Sequence, residues 1–142
     1  MNMSKALVIP TAIMVFLLIS CENSGPEDQI PVAIVNETIN LTNQQYLNLQ
    51  FVGGHVAISG GVRGIIVYHP SNNQYRAFER NCSFDPLNTC ARVEVDGSGL
   101  FLIDSCCTST FNFEGFPTGG PANLPLRLYN TILQGNLLTI TN

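Results

Sequence analysis

From Pro31 onward, turn-forming residues divide the chain into short pieces. Runs rich in β-branched or aromatic residues alternate there with clusters of Gly, Pro and Asn. This alternation is typical of an all-β fold, and no helical periodicity persists. We predict strands at residues 32–34, 47–51, 55–58, 64–68, 75–79, 91–95, 100–103, 110–113, 126–133 and 137–141. Turns are predicted at residues 70–73, 96–99 and 134–136, where Pro, Gly or Asn fits the backbone of a tight turn.

The N-terminal segment is typical of an export signal. Lys5 precedes an uncharged run, residues 6–19, which is shorter than the roughly 20 apolar residues that span a bilayer. The run ends in Leu18-Ile19-Ser20-Cys21, which resembles the lipobox of bacterial lipoproteins. The resemblance implies a signal peptide over residues 1–20 and lipid attachment at Cys21. It also implies that the membrane is a partner and that the protein lies in the cell envelope, with the choice of membrane left open.

Removal of residues 1–20 leaves 122 residues, enough for one domain with its own core. Residues 21–30 are polar and acidic, and we predict a lipidated flexible tether there. Residues 31–142 then form the β domain. The mature chain has five arginines against ten acidic residues, a formal charge of −5. Such a chain has no basic patch for phosphates, so nucleic acid is not expected as a partner.

Four cysteines remain once Cys21 is assigned to lipid: Cys82, Cys90, Cys106 and Cys107. An even number of cysteines in an oxidising envelope most simply indicates two disulfides. Four cysteines allow three pairings, and the residues alone do not choose among them.

Residues 65–139 carry a further resemblance. A strand-like run, residues 65–68, leads through a hairpin to Tyr75-Arg76-Ala77-Phe78-Glu79-Arg80-Asn81-Cys82. Next come Cys106-Cys107-Thr108-Ser109-Thr110-Phe111, then Gly119-Gly120-Pro121-Ala122, and finally residues 135–140. In order and spacing this series resembles the Rieske iron–sulfur domains. The resemblance implies an antiparallel β-sandwich with two loops at one end.

The cluster ligands of the family are degenerate in this sequence. In a Rieske centre two cysteines hold one iron and two histidines the other, from a Cys-x-His and a Cys-x-x-His loop. The resemblance places Cys82 on the first cysteine and Phe84 on the first histidine. It places Asp104 on the second cysteine and Cys107 on the second histidine. Only one ligand in four is unchanged. Phenylalanine cannot coordinate iron, and Asp104 would be a hard oxygen ligand where a soft thiolate is expected.

The chain's two histidines offer no obvious replacement. His55 and His69 both precede the two loops in the sequence. We expect each to be a surface side chain and not a ligand.

The resemblance also implies a disulfide pairing. Rieske domains of respiratory complexes carry a bridge between the two loops, and Cys106 falls on its second-loop member. Cys90 lies three residues beyond the usual first-loop position. The pairing preferred on this basis is Cys90 with Cys106, and Cys82 with Cys107 across the emptied cluster site.

Three functions compete at this stage. The first is a lipid-anchored binding or structural module without a cofactor, stapled by disulfides, that offers its loops to an envelope protein partner. The second is electron transfer through an unorthodox [2Fe–2S] centre held by Cys82, Cys90, Cys106 and Cys107. The third is thiol–disulfide exchange, for which Arg80 and Arg92 are the candidate positive neighbours. No catalytic residues are found with a recognised spacing, so the redox activities are the ones weighed against a module that is not an enzyme.

Overall fold

The computed structural model describes residues 30–142, so the predicted signal peptide, the predicted lipidation site Cys21 and the predicted tether up to residue 29 lie outside the described residues. Residues 30–142 form ten β-strands and one 3-10 helix (Gln44–Gln50) between β1 and β2. The strands are β1 (Asn36–Asn40), β2 (His55–Ile58), β3 (Ile65–Ser71), β4 (Gln74–Glu79), β5 (Val93–Val95), β6 (Leu102–Asp104), β7 (Thr110–Phe111), β8 (Pro117–Gly119), β9 (Leu128–Gln134) and β10 (Leu137–Thr141). Over this range no helix is long and apolar enough to cross a membrane.

Six strands form one antiparallel sheet, in the order β1-β10-β9-β4-β3-β2. Buried residues from β1, such as Ile39, pack in the same cluster as Ile65 of β3 and Leu138 of β10. Val56 on the opposite edge strand, β2, packs against that cluster too, and so does Leu49 from the 3-10 helix. Since both edges of the sheet contact one core, the sheet is curled around it.

Four shorter strands form a second antiparallel sheet, in the order β5-β6-β7-β8. Its buried residues Val93, Leu102 and Phe111 pack against Ile66 and Phe78 in a second core cluster. Ile66 and Phe78 lie on β3 and β4 and alternate along the chain with residues of the first core. Because side chains alternate faces along a strand, the β3–β4 hairpin is buried on both faces and separates the two cores.

Glu79 lies at the end of β4, where the chain passes from the six-stranded sheet to the four-stranded sheet. Its fully buried carboxylate accepts hydrogen bonds from the backbone N–H groups of Val62 (2.7 Å), Arg63 (2.9 Å) and Asn81 (2.9 Å). The Tyr129 hydroxyl of β9 donates a fourth bond of 2.6 Å. These bonds fix the chain as it leaves the curled sheet and enters the loops of the second sheet.

The prediction of an all-β antiparallel fold is confirmed. The strands at residues 55–58 and 137–141 are found with the predicted bounds, and six others overlap their predictions. The turns at residues 96–99 and 134–136 are present, while only Asn72 and Asn73 form the turn predicted at 70–73 because β3 extends to Ser71.

Two predicted strands are wrong. Residues 32–34 form no strand, and their apolar side chains Val32 and Ile34 are exposed. Residues 47–51 belong largely to the 3-10 helix, in which Leu49 alone is buried. In both cases β-branched or aromatic residues gave the strand signal, but no neighbouring strand is placed to pair with them.

Candidate functional site

Two loops extend from the second sheet and meet at one end of the molecule. The first loop, residues 80–92, joins β4 to β5, and the second loop, residues 105–109, joins β6 to β7. The Cys90–Cys106 disulfide links them, with a Cα–Cα distance of 5.7 Å. The structure therefore contains the bridge that the Rieske resemblance implies, between the two loops that the resemblance predicts to lie together.

The first loop is fixed by a bridge between its two ends and by hydrogen bonds from Arg63. Its ends pair through an isolated bridge between Asn81 and Arg92. Arg63, in the turn before β3, donates from Nε to the Asn81 side chain (2.6 Å) and from its terminal nitrogens to the carbonyl oxygens of Asn88 (2.5 Å) and Thr89 (2.7 Å). One guanidinium thus fixes both sides of the loop.

The second loop is a tight turn held by its own backbone. The Asp104 N–H donates to the Ser109 carbonyl (2.9 Å), and the Thr108 N–H donates to the Asp104 carbonyl (2.8 Å). Thr108 has a φ of 62°, which is rare for a β-branched residue. Gly120, with a φ of 81°, packs so closely that a Cβ there would lie 2.6 Å from the Ser109 Cα. Its own hydrogen bonds and the close contact with Gly120 therefore fix the conformation of the second loop.

Three side chains with metal-ligating atoms converge where the loops meet. The Sγ atoms of Cys82 and Cys107 are 3.8 Å apart, and the Cys107 Sγ lies 3.2 Å from Asp104 Oδ2. All three donor atoms lie within 4.8 Å of one another. Cys82 and Asp104 are fully buried, whereas Cys107 is partly exposed. We call Cys82, Asp104 and Cys107 the donor triad.

Further hydrogen bonds orient the donor triad. The Cys106 N–H donates to Asp104 Oδ1 (2.8 Å), so Oδ2 is the oxygen left beside Cys107. Ser109 Oγ lies 3.1 Å from the Cys107 Sγ and accepts a bond from the Ala122 N–H (3.1 Å). A cavity of about 200 Å³ lies against Asp104 and Cys107, with Phe84, Asp85 and Pro121 in its wall.

The Cys82 thiol lies in surroundings that disfavour its ionised form. Burial is the main cause that raises its pKa well above the ordinary value, and Asp104 and Cys107 raise it further. A backbone hydrogen bond from Phe84 acts in the opposite direction. A protonated, buried thiol is a poor nucleophile, so this environment is the reverse of what thiol–disulfide exchange needs.

The structure differs from the second predicted disulfide. Cys82 and Cys107 face one another, as expected, but both are free cysteines. Their sulfur separation of 3.8 Å is far longer than an S–S bond of about 2.05 Å. The partly exposed Cys107 thiol is held by hydrogen bonds to Asp104 and Ser109 instead.

Neither histidine reaches the donor triad. His55 pairs with Tyr68 across β2 and β3, and His69 stacks on Tyr75 with ring centroids 4.6 Å apart. These rings lie towards the turn end of the β3–β4 hairpin, whereas Cys82 follows the opposite end of β4. The six residues of β4 place the two ends about 20 Å apart. The expectation that His69 is a surface residue is wrong, because it is buried.

The donor triad does not fit a Rieske cluster. The resemblance assigns Cys82 and Cys107 to different irons, with two bridging sulfides between them. Their sulfurs are 3.8 Å apart here, which is not the arrangement of ligands on two separate irons. Phe84, on the first histidine position, offers no ligand atom. Cys90 and Cys106 are bonded to each other in this structure, so their sulfurs are not free thiolates.

Sequence reasoning missed two residues that shape the site. Arg63 lies outside both loops, and only the hairpin packing brings its guanidinium under the first loop. Ser109 was grouped with the second loop, but its hydroxyl contact with Cys107 depends on the turn geometry. Asp104 was interpreted as a hard oxygen ligand at a degenerate position, and its carboxylate is a member of the donor triad.

Comparison with known proteins adds a limited likeness. No protein-family model matches the chain, and neither does any curated protein sequence. Among solved structures, the ferredoxin of carbazole 1,9a-dioxygenase from Nocardioides aromaticivorans IC177 is similar. Its TM-score is 0.46 at 16% sequence identity, with 78% of this chain and 98% of that chain covered. A likeness of this degree says nothing about ligands or activity, for which the donor triad itself is the evidence.

Proposed function

We propose that this chain is a lipid-anchored protein of the bacterial cell envelope whose Rieske-like domain has lost the [2Fe–2S] cluster and acts as a binding or structural module. The observation that carries the proposal is the contact between Cys82 and Cys107, whose sulfurs are 3.8 Å apart. A binuclear cluster needs that space, and Phe84 stands where one of its histidines would be. The protein is not an electron carrier of the Rieske type on this account.

A disulfide takes over the structural role of the cluster. The Cys90–Cys106 bridge joins residues separated by 16 positions and ties the two loops together. Closing a loop of this length contributes about 3 kcal/mol to the free energy of unfolding in the chain-entropy model. The loop end can therefore keep a fixed shape without iron.

The same end of the molecule exposes apolar side chains. Phe84 and Leu87 of the first loop are 40% and 67% exposed, and Leu124 of the segment before β9 is 46% exposed. Ser83 Oγ donates to the Leu124 carbonyl (2.6 Å), which brings that segment against the first loop. Apolar side chains grouped on a surface mark interaction sites. The partner proposed here is another protein of the cell envelope.

The loss of the cluster is tested by reconstitution with iron and sulfide. The unaltered full-length chain, purified in detergent under anaerobic conditions, should remain colourless and retain neither iron nor acid-labile sulfide. The matched positive control is the triple variant Phe84→His, Asp104→Cys, Cys107→His, which restores the Rieske ligand pattern and should become coloured. Stoichiometric uptake of two irons and two sulfides by the unaltered chain would overturn the proposal and support electron transfer.

The lipid anchor is tested by exchanging the export signal. Replacement of residues 1–21 by a cleavable signal peptide without a lipobox should move the domain from the membrane fraction to the soluble periplasm. A matched exchange that keeps a lipobox and its cysteine should leave the protein in the membrane fraction. Equal partitioning of the two forms would contradict lipidation at Cys21 as the means of attachment.

A further inference from the structure

We propose that the donor triad binds one borderline-soft divalent cation, of which Zn²⁺ is representative, in a mononuclear site with an exchangeable fourth position. This inference rests on the proposed function, since a [2Fe–2S] cluster would occupy the same space. It assigns a use to Cys82 and Cys107, the two free cysteines among residues 30–142.

The sulfur spacing fits a single ion. Zinc–thiolate bonds are about 2.3 Å long, so two thiolates on one tetrahedral zinc lie about 3.8 Å apart. The Cys82 and Cys107 sulfurs are separated by 3.8 Å. With Asp104 Oδ2 3.2 Å from the Cys107 sulfur, the three donor atoms surround one point instead of two.

The charge of the donor triad also favours a cation. Two thiols and a carboxylate share a buried volume, where ionised groups repel one another and lose hydration. The guanidinium groups of Arg63 and Arg80 bind other acceptors. Arg63 donates to first-loop acceptors, and Arg80 donates to the Val93 carbonyl and to Glu94. A divalent cation would displace the protons of the two thiols and neutralise the thiolates that form.

Neighbouring groups hold the donors in place, as they do around metal sites. The Cys106 N–H orients the Asp104 carboxylate through Oδ1, and the Ser109 hydroxyl contacts the Cys107 sulfur. Cys82 is fully buried in the second core cluster. Hydrogen bonds to neighbouring groups and burial therefore hold the three donors in place.

The fourth position would open into a cavity. The cavity of about 200 Å³ reaches Asp104 and Cys107, and the aromatic ring of Phe84 and Pro121 form part of its wall. Three protein ligands with one open position are the arrangement of zinc sites that exchange water or small ligands. The chemistry of the site is thus that of a small-molecule-accessible metal, distinct from a closed structural zinc.

The test is a cobalt titration of the full-length chain in detergent, under anaerobic conditions and without reductant so that the Cys90–Cys106 bridge persists. One Co²⁺ per chain should bind and give thiolate-to-cobalt charge transfer with strong tetrahedral d–d bands, and Zn²⁺ should displace it. Cys82→Ser, Cys107→Ser and Asp104→Asn should each weaken binding more than tenfold. Asp85→Asn is the matched control, because Asp85 lines the same cavity outside the donor triad.

The outcomes separate this site from the proposed function. A cluster-free chain that has two free thiols yet binds no cobalt would overturn the site and leave the module standing. A disulfide between Cys82 and Cys107 would also overturn the site and leave the module standing. Near-UV circular dichroism shows whether each variant folds, and a loss of binding in the folded Cys107→Ser variant alone would already support the site, since Cys107 is partly exposed.

Discussion

At the scale of single residues, the buried pair of Tyr129 and Glu79 carries a clear dependence on pH. Burial and the hydrogen bond to Glu79 raise the pKa of Tyr129 above its ordinary value near 10. A raised pKa in the folded state means that the fold favours the protonated phenol. The resulting stabilisation is complete below the unfolded pKa and is lost as the pH rises through the folded pKa.

We therefore predict that Tyr129→Phe lowers the free energy of unfolding by about 1.5–3 kcal/mol at neutral pH, the contribution of a hydrogen bond to a charged group. Above about pH 10, where the unfolded tyrosine ionises, the gap between variant and unaltered chain should narrow. Urea unfolding of the variant and the unaltered chain from pH 7 upward measures this difference in the free energy of unfolding. Tyr68→Phe is the control, because its ring stack on Phe113 survives the change. A gap that stays constant with pH would contradict this role of Tyr129.

The site could be predicted from the sequence only in part at this scale. The Rieske resemblance placed Cys82, Asp104 and Cys107 at one end of the domain and paired Cys90 with Cys106, and the structure brings these residues together. The oxygen donor of Asp104 could be predicted, but its contacts could not, because a family pattern reports which ligand is replaced and not what the substitute touches. The distance between two sulfurs depends on rotamers and on loop geometry, which a sequence pattern does not contain.

At the scale of elements, the predictions succeeded where a strand signal is intrinsic and failed where it depends on neighbours. Residues 137–141 follow a Gly-Asn turn, alternate apolar and polar side chains from Leu138 onward, and pair on both sides. β1 (Asn36–Asn40) was missed, since its Asn and Glu residues disfavour strands and its pairing with β10 supplies the order. β8 (Pro117–Gly119) is an edge strand that begins with Pro and ends with Gly, which are both depleted in strands, so its place beside β7 defines it.

The loops show the same division. The turn at residues 96–99 follows from Asp and Gly in sequence, with the Gly99 N–H bonded to the Asp96 carbonyl (2.8 Å). The first loop, in contrast, depends on Arg63, which bonds to loop residues 18 to 26 positions away in the chain. Local residue types predict tight turns, whereas long loops are shaped by tertiary contacts.

At the scale of the whole molecule, one end of the domain carries its distinguishing chemistry. The curled sheet supplies the larger core, the smaller sheet presents two loops, and a disulfide with the donor triad closes their meeting point. The proposed lipid on Cys21 would hold this end within the envelope, where a disulfide persists and a metal ion can be acquired. The proposed function requires above all that the meeting point of the two loops holds no [2Fe–2S] cluster.

Native mass spectrometry of the mature protein, extracted anaerobically from bacterial membranes in detergent, decides whether a cluster is present. One spectrum gives the mass of the chain together with the groups bound to it. We expect the mass of residues 21–142 with lipid on Cys21, one disulfide and a single divalent metal ion, and without inorganic sulfide. A mass increment of two irons and two sulfides would contradict it.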